Sequence, residues 1–221
     1  MMKMKPLADC RLYTFVDTAY LNGKTPEEVA RQLCAGGSDI IQLRAKNSTP
    51  EEVQRMAEAI LPITAAAGVW LVINDYPKIA FKVGAPICHL GQEDFFDAGY
   101  RFVYQLAGCP AEIKIGLSTH APKQAEKAIQ AGADYVAIGP IYATGTKPTA
   151  APVTLEFVRW AAANVKVPWF AIGGIQLQNL SEVMAAGARR ICVVSAILNA
   201  PDIAQACHAF KERLLSAPLS A

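Results

Sequence analysis

Ala131-Gly132-Ala133-Asp134-Tyr135-Val136-Ala137-Ile138-Gly139-Pro140-Ile141-Tyr142-Ala143-Thr144-Gly145-Thr146-Lys147-Pro148 passes from a helix stop, through a strand, into a loop. The glycine after Ala131 suits a helix end, and the apolar run Tyr135 to Ile141 suits a strand covered on both faces. The loop then groups two glycines, two hydroxyls and a lysine. Gly139 and Gly145 let backbone N–H groups approach an anion, Thr144 and Thr146 add hydroxyl donors, and Lys147 adds a mobile positive charge. The grouping suits a phosphate, and taken alone it equally suits an ordinary strand-to-helix turn. The rest of the chain decides.

The helix stop recurs at Ala35-Gly36-Gly37-Ser38-Asp39 and at Ala186-Gly187-Ala188-Arg189, each just before another apolar run. Strand candidates number eight: Leu12 to Asp17, Asp39 to Arg44, Trp70 to Asn74, Ile87 to Leu90, Ile113 to Ser118, Tyr135 to Ile141, Trp169 to Gly173 and Ile191 to Ser195. Amphipathic stretches lie between them. Thr25-Pro26-Glu27-Glu28 and Thr49-Pro50-Glu51-Glu52 each place a capping hydroxyl, a proline in the first turn and acids where the helix dipole favours them. This is one βα unit used repeatedly, at roughly 28 residues per unit, which predicts an α/β fold: a single-domain (β/α)8 TIM barrel over residues 1–221. A Rossmann sheet lacks its key element, because no GxGxxG follows the first strand.

Composition agrees. The 221 residues are 52% hydrophobic, with mean hydropathy +0.21. No apolar stretch approaches the roughly 18 residues of a spanning helix, and the start Met1-Met2-Lys3-Met4-Lys5-Pro6 carries no signal-peptide core. Net charge is only +2, with no basic run beyond Arg189-Arg190, which argues against a nucleic-acid groove or an anionic membrane as partner. Six scattered cysteines without a CxxC read as reduced thiols of a cytoplasmic protein, and three isolated histidines offer no imidazole metal site.

In such a barrel the C-terminal strand ends build the active site. Alternation puts Gln42, Arg44 and Lys46 on one side at the end of strand two. Two cations there need a partner, either a ligand anion or a structural salt bridge to a neighbouring strand. Asp75 after strand three and Asp94 after strand four can converge as hard oxygen ligands for Mg²⁺, with Glu93 as the less favoured neighbour, or can simply cap the helices that follow. Ser118 at the end of strand five suits either a heteroaromatic substrate or a helix cap, and His120 reads as a bystander. Gly173 and Gly174 after strand seven, with Ser195 after strand eight, suit a phosphate held by backbone N–H groups, since packing alone rarely requires both glycines.

The ordered segments Gln42-Leu43-Arg44-Ala45-Lys46, Ile73-Asn74-Asp75, His89-Leu90-Gly91-Gln92-Glu93-Asp94, Gly116-Leu117-Ser118-Thr119-His120, Gly139 to Pro148 and Ala171-Ile172-Gly173-Gly174-Ile175 resemble those of the thiamin-phosphate synthase family, from about Leu12 to Ile197. The resemblance implies a TIM barrel that joins a hydroxymethylpyrimidine diphosphate to a hydroxyethylthiazole phosphate, or its carboxylated form, releasing pyrophosphate. It implies that Gln42 through Lys46 (including Leu43 and Ala45), Asn74, Ser118 and Lys147 hold the pyrimidine diphosphate, and that Asp75 and Asp94 hold Mg²⁺. It further implies that Thr144, Gly145, Thr146, Gly174, Val194 and Ser195 hold the thiazole phosphate, with Gly173 also among the substrate-binding residues. Arg44, Lys46 and Lys147 would neutralise the leaving group. Two rivals share the barrel: a thiazole tautomerase, and a non-catalytic thiamin-phosphate sensor. Partners are expected to be small molecules, with a homodimer left open.

Overall fold

The computed structural model of the protein describes residues 4–106, 113–145 and 151–216. Two helices show how local sequence sets the elements. Thr25 caps α1 (Pro26–Ala35) and Thr49 caps α2 (Pro50–Ala67), each in a capping box: the threonine hydroxyl accepts from the N–H of Glu28 or Glu52, whose carboxylate accepts from the threonine N–H at 2.7 and 2.8 Å. Proline fills the first helical position, where its missing N–H is no loss.

Eight parallel strands close into a barrel in sequence order: β1 (Leu12–Asp17), β2 (Ile40–Arg44), β3 (Trp70–Asn74), β4 (Ile87–Gly91), β5 (Lys114–Thr119), β6 (Tyr135–Ile138), β7 (Trp169–Ile172) and β8 (Ile191–Cys192), which pairs back onto β1. The helices between them are α1, α2, α3 (Pro77–Val83), α4 (Gln92–Asp97), α5 (Pro122–Gln130), α6 (Thr154–Asn164) and α7 (Leu180–Ala185); α8 (Ser195–Leu198) and α9 (Ile203–Leu215) follow β8. This is the (β/α)8 TIM barrel that the repeated βα unit predicts.

β7 stops one residue short of its predicted end, at Ile172, and two strands stop three residues earlier than their apolar runs. β6 ends at Ile138 instead of Ile141, because Pro140 has no N–H to give a ladder. β8 ends at Cys192 instead of Ser195; Val193 still donates to the Tyr13 carbonyl at 3.0 Å, but Ser195 already opens α8. In both places hydrophobicity continues past the point where the backbone turns towards the mouth.

Inside the barrel Tyr13, Tyr135 and Phe170 meet edge to face, with ring centroids 5.4 to 6.0 Å apart. Gly116 is what admits the Tyr135 ring, since a Cβ there would lie 2.0 Å from it. The five described cysteines are free thiols, and burial pushes Cys10 up to about 12, out of reach of thiolate chemistry at neutral pH. Among the described residues no helix is long and apolar enough to cross a membrane.

Candidate active site

A cleft opens at the C-terminal ends of the strands. From β2, Gln42, Arg44 and the following Lys46 all line it, as strand alternation requires. Arg44 sits opposite Asp17 in the β1–β2 register, and its Nη1 donates to Asp17 Oδ2 at 2.7 Å. The Asp17 side chain is 1% exposed and also accepts from the N–H of Ala19 at 3.0 Å, so the carboxylate that aims the guanidinium is itself fixed. The cross-strand salt bridge is therefore present. It holds only one of the fork's faces, leaving the guanidinium at the cleft wall.

Lys46 Nζ pairs with Asp75 Oδ2, which also accepts from Asn74 Nδ2 at 2.7 Å. Lys46 is 48% exposed and Asp75 24%, so this pair is open to solvent where Arg44–Asp17 is not. Asp75 adopts a left-handed φ of +66°, a conformation that aspartate tolerates better than most residues, and its N–H donates to the His89 carbonyl at 2.9 Å. Neither carboxylate predicted for metal caps a helix. Tyr76 at the start of α3 and Gly91 at the start of α4 make no side-chain cap bond, and Asp75 and Asp94 both line the cleft.

Ser118 does not cap α5 either; Ala121 stands at that position, and Ser118 Oγ lies 2.8 Å from His89 Nε2. His120, read from the sequence as a bystander, is instead part of the cleft wall: its Nδ1 meets the Gly139 carbonyl and its N–H donates to Gln124 at 2.7 Å. It steadies the start of the loop after β6.

Thr144, Gly173, Gly174, Val194 and Ser195 line the opposite side. The two glycines have a packing cause that the sequence reading discounted. Gly173 and Gly174 have φ of +104° and +62°, and Cβ atoms there would lie 2.4 Å from Pro140 and 2.7 Å from Tyr142. The loop after β6 packs directly on the turn after β7, so the pair is required before any anion is considered. Ser195 opens α8, whose Ile197 and Leu198 N–H groups donate to the Val194 carbonyl at 3.1 and 2.9 Å.

Of the predicted site residues, Leu43 and Ala45 are buried away from the cleft on the other face of the β2 segment, and Gly145 is outside its lining. Thr146 and Lys147 lie outside the described residues. Asp17, Tyr13, Tyr135 and a role for His89 were missed; Asp17 alone had a sequence signal, being the polar residue at the end of β1. Among the described residues no cluster of three or more His, Cys, Asp or Glu could hold a metal, which leaves the pair Asp75 and Asp94 as candidate ligands.

Comparison with known proteins meets this geometry from another direction. The family described as thiamine monophosphate synthase matches residues 12–197. Thiamine-phosphate synthase of Thermus thermophilus is 45% identical over 181 residues, 81% of this chain and 84% of that protein. That of Acidothermus cellulolyticus is 41% identical over 213 residues, 96% of this chain and 98% of the relative. Among solved structures, thiamine phosphate pyrophosphorylase from Pyrococcus furiosus superposes with a TM-score of 0.81 at 26% identity, covering 95% of this chain and 98% of that one.

Proposed function

The chain belongs to the thiamine monophosphate synthase family, and we propose that it joins an aminopyrimidine bearing a diphosphooxymethyl arm to a hydroxyethylthiazole phosphate, or its carboxylated form, with release of pyrophosphate. It is a transferase acting on small molecules. The observation that carries the reaction is the grouping of Arg44, Lys46, Asp75 and Asp94 on one wall of the cleft, facing the Gly173-Gly174 turn and Ser195. One wall suits a diphosphate and the other a single phosphate.

The step we propose is heterolytic. The methylene C–O bond of the pyrimidine breaks, both electrons leave with pyrophosphate, and the thiazole nitrogen lone pair forms the new C–N bond. Arg44, aimed by Asp17, meets the developing charge with preorganised donors. Lys46 has a flexible stem and a half-exposed head, which lets its ammonium pass from Asp75 to a phosphate oxygen. Lys147, which follows Thr144 and Gly145 in the sequence, supplies a third cation.

Magnesium fits the donor set, because two carboxylates suffice when water and phosphate oxygens fill the remaining positions. Asp75 and Asp94 would hold it, and bound there it supplies Lewis-acid neutralisation of the leaving group. No protein nucleophile is needed; Gln42, Asn74 and Ser118 orient the pyrimidine, and Thr144, Gly174 and Ser195 the thiazole phosphate, so that the reacting atoms meet.

The test is pyrophosphate release by purified protein given both heterocycles and Mg²⁺, with each omitted in turn. Release that requires all three supports the reading. Equal release without the thiazole phosphate would mean hydrolysis, and the transfer would be rejected.

A further inference from the structure

Five polar side chains from five strands form one hydrogen-bonded chain along the floor of the cleft, with Tyr13, Gln42, His89 and Ser118 in its lining and Tyr135 behind them. Gln42 Nε2 on β2 donates to the Tyr13 hydroxyl on β1 at 2.6 Å. The Tyr13 hydroxyl lies 3.0 Å from that of Tyr135 on β6, which lies 3.0 Å from His89 Nδ1 on β4. His89 Nε2 ends the chain 2.8 Å from Ser118 Oγ on β5. Tyr13, Gln42, His89 and Tyr135 are all buried. Burial pushes both phenols well above their ordinary range, so each keeps its hydrogen.

The direction of this chain follows from the Gln42 amide, whose nitrogen faces the Tyr13 hydroxyl, together with a count of hydrogens. Each phenol has one, and a neutral imidazole has one. Gln42 donates to Tyr13, so the Tyr13 hydrogen goes to Tyr135. The Tyr135 hydrogen then goes to His89 Nδ1, and the imidazole hydrogen sits on Nε2, facing Ser118 Oγ. Run the other way, the chain would need the Gln42 amide turned over, with Oε1 accepting the Tyr13 hydrogen, and every link would reverse. With the amide nitrogen on Tyr13, the two ends have opposite polarity. Ser118 is left with a hydrogen to give, and Gln42 with its Oε1 to accept; both line the cleft.

We propose that Tyr13, Tyr135 and His89 are positioning residues that set this polarity, so that the cleft selects a heterocycle with an acceptor ring nitrogen beside an amino donor. The oxo counterpart of the same ring exchanges donor and acceptor, and would face two mismatched partners. The identity of the heterocycle rests on the synthase reading; the hydrogen-bond direction is a property of the free protein.

The first measurement is the ¹⁵N spectrum of histidine-labelled free protein, with the His89 signals assigned from a His89→Asn variant. The Nε2–H tautomer with Nδ1 accepting is expected, and an Nδ1–H tautomer overturns the proposal. The second is Tyr135→Phe, which deletes one link and keeps the ring that fills the space beside Gly116. Loss of one hydrogen bond's worth of selectivity predicts a KM for the aminopyrimidine diphosphate about tenfold higher, an unchanged KM for the thiazole phosphate, and an amino-over-oxo preference reduced about tenfold. An unchanged preference, or equal increases in both KM values, overturns it. Should Tyr135→Phe fail to fold, Tyr13→Phe cuts the same chain one link away and is read identically. An inactive wild-type enzyme would reject the synthase reading, while the tautomer would still decide the relay.

Discussion

The two ends of the barrel use the same chemistry, a lysine beside an aspartate, for different purposes. At the N-terminal end Asp39 is 3% exposed and its two oxygens meet Lys5 at 2.8 Å, Lys211, and the N–H groups of Arg11 and Leu12 at 2.9 and 3.1 Å. Four donors surround one carboxylate, tying β1, β2, α9 and the N-terminal segment together. At the C-terminal end Lys46 and Asp75 pair in the open, and Arg44 uses part of its fork on Asp17. A buried carboxylate that meets four donors stabilises; a pair with exposed valence can trade partners with a ligand. Burial and the count of donors, more than the residue types, separate structure from site.

The sharpest way to break the contrast is to remove Asp39. Asp39→Ala strands the buried Lys211 ammonium and should destabilise the protein by about 3–5 kcal/mol, while kcat/KM of the molecules that remain folded is unchanged. Denaturant melts alongside activity corrected for folded fraction check this; a normal melt with lost activity would reverse the assignment of the two ends. The same carboxylate predicts a pH effect. Burial alone would raise its pKa, but hydrogen bonds from Lys211, Lys5 and the Arg11 N–H outweigh burial and hold it below the ordinary 3.8. A lowered folded value means the stabilisation is complete above the unfolded pKa and fades as pH falls through the folded one. Wild-type stability should therefore drop below about pH 4, and an Asp39→Asn variant should show a shallower drop.

At the other end the effects should invert. Asp94→Ala should lower magnesium-dependent kcat by about 10² to 10³ while leaving the melting curve intact, the loss expected when a carboxylate that would hold the charge-neutralising cation is removed. Steady-state rates over a magnesium titration measure it, and full activity at ordinary magnesium would remove Asp94 from the site. Asp17→Asn should act more mildly. It keeps an oxygen for the Ala19 N–H but loses the charge that aims Arg44, so kcat/KM should fall about tenfold. Binding of the thiazole phosphate alone, followed by calorimetry, should not change; if it weakened equally, Asp17 would be holding the whole cleft and not one guanidinium.

How far the sequence could be read follows the same division between local and cross-strand causes. Thr25 and Thr49 declare helix starts because a cap involves residues three apart, and the strand-end positions of Gln42, Arg44, Asp75 and Ser118 follow from alternation within single strands. The Asp17–Arg44 pair needs the β1–β2 register, and the Gly116–Tyr135 fit needs the β5–β6 register, neither of which a single strand encodes. The glycines at 173 and 174 carry two constraints at once, so their packing against Pro140 and Tyr142 could not be separated from an anion-binding role on sequence alone. The ends of β6 and β8 were overrun because apolar side chains continue into loops that line the mouth, where hydrophobicity no longer reports a ladder.

The gentlest probe of the comparison sits at the active-site end without belonging to the site. Thr49 caps α2 three residues beyond Lys46, which lines the cleft, and its hydroxyl accepts from the Glu52 N–H at 3.3 Å. Thr49→Ala should reduce stability by about 1 kcal/mol, the ordinary worth of an N-cap, and leave kcat and both KM values where they were. Proximity to the mouth would matter only if fraying of the first turn of α2 reached back to Lys46 and disturbed its pairing with Asp75. In that case the KM for the pyrimidine diphosphate would rise while that for the thiazole phosphate held. Stability melts and the two KM values from one preparation distinguish the outcomes, and an unmoved KM would place the boundary between scaffold and site between Lys46 and Thr49.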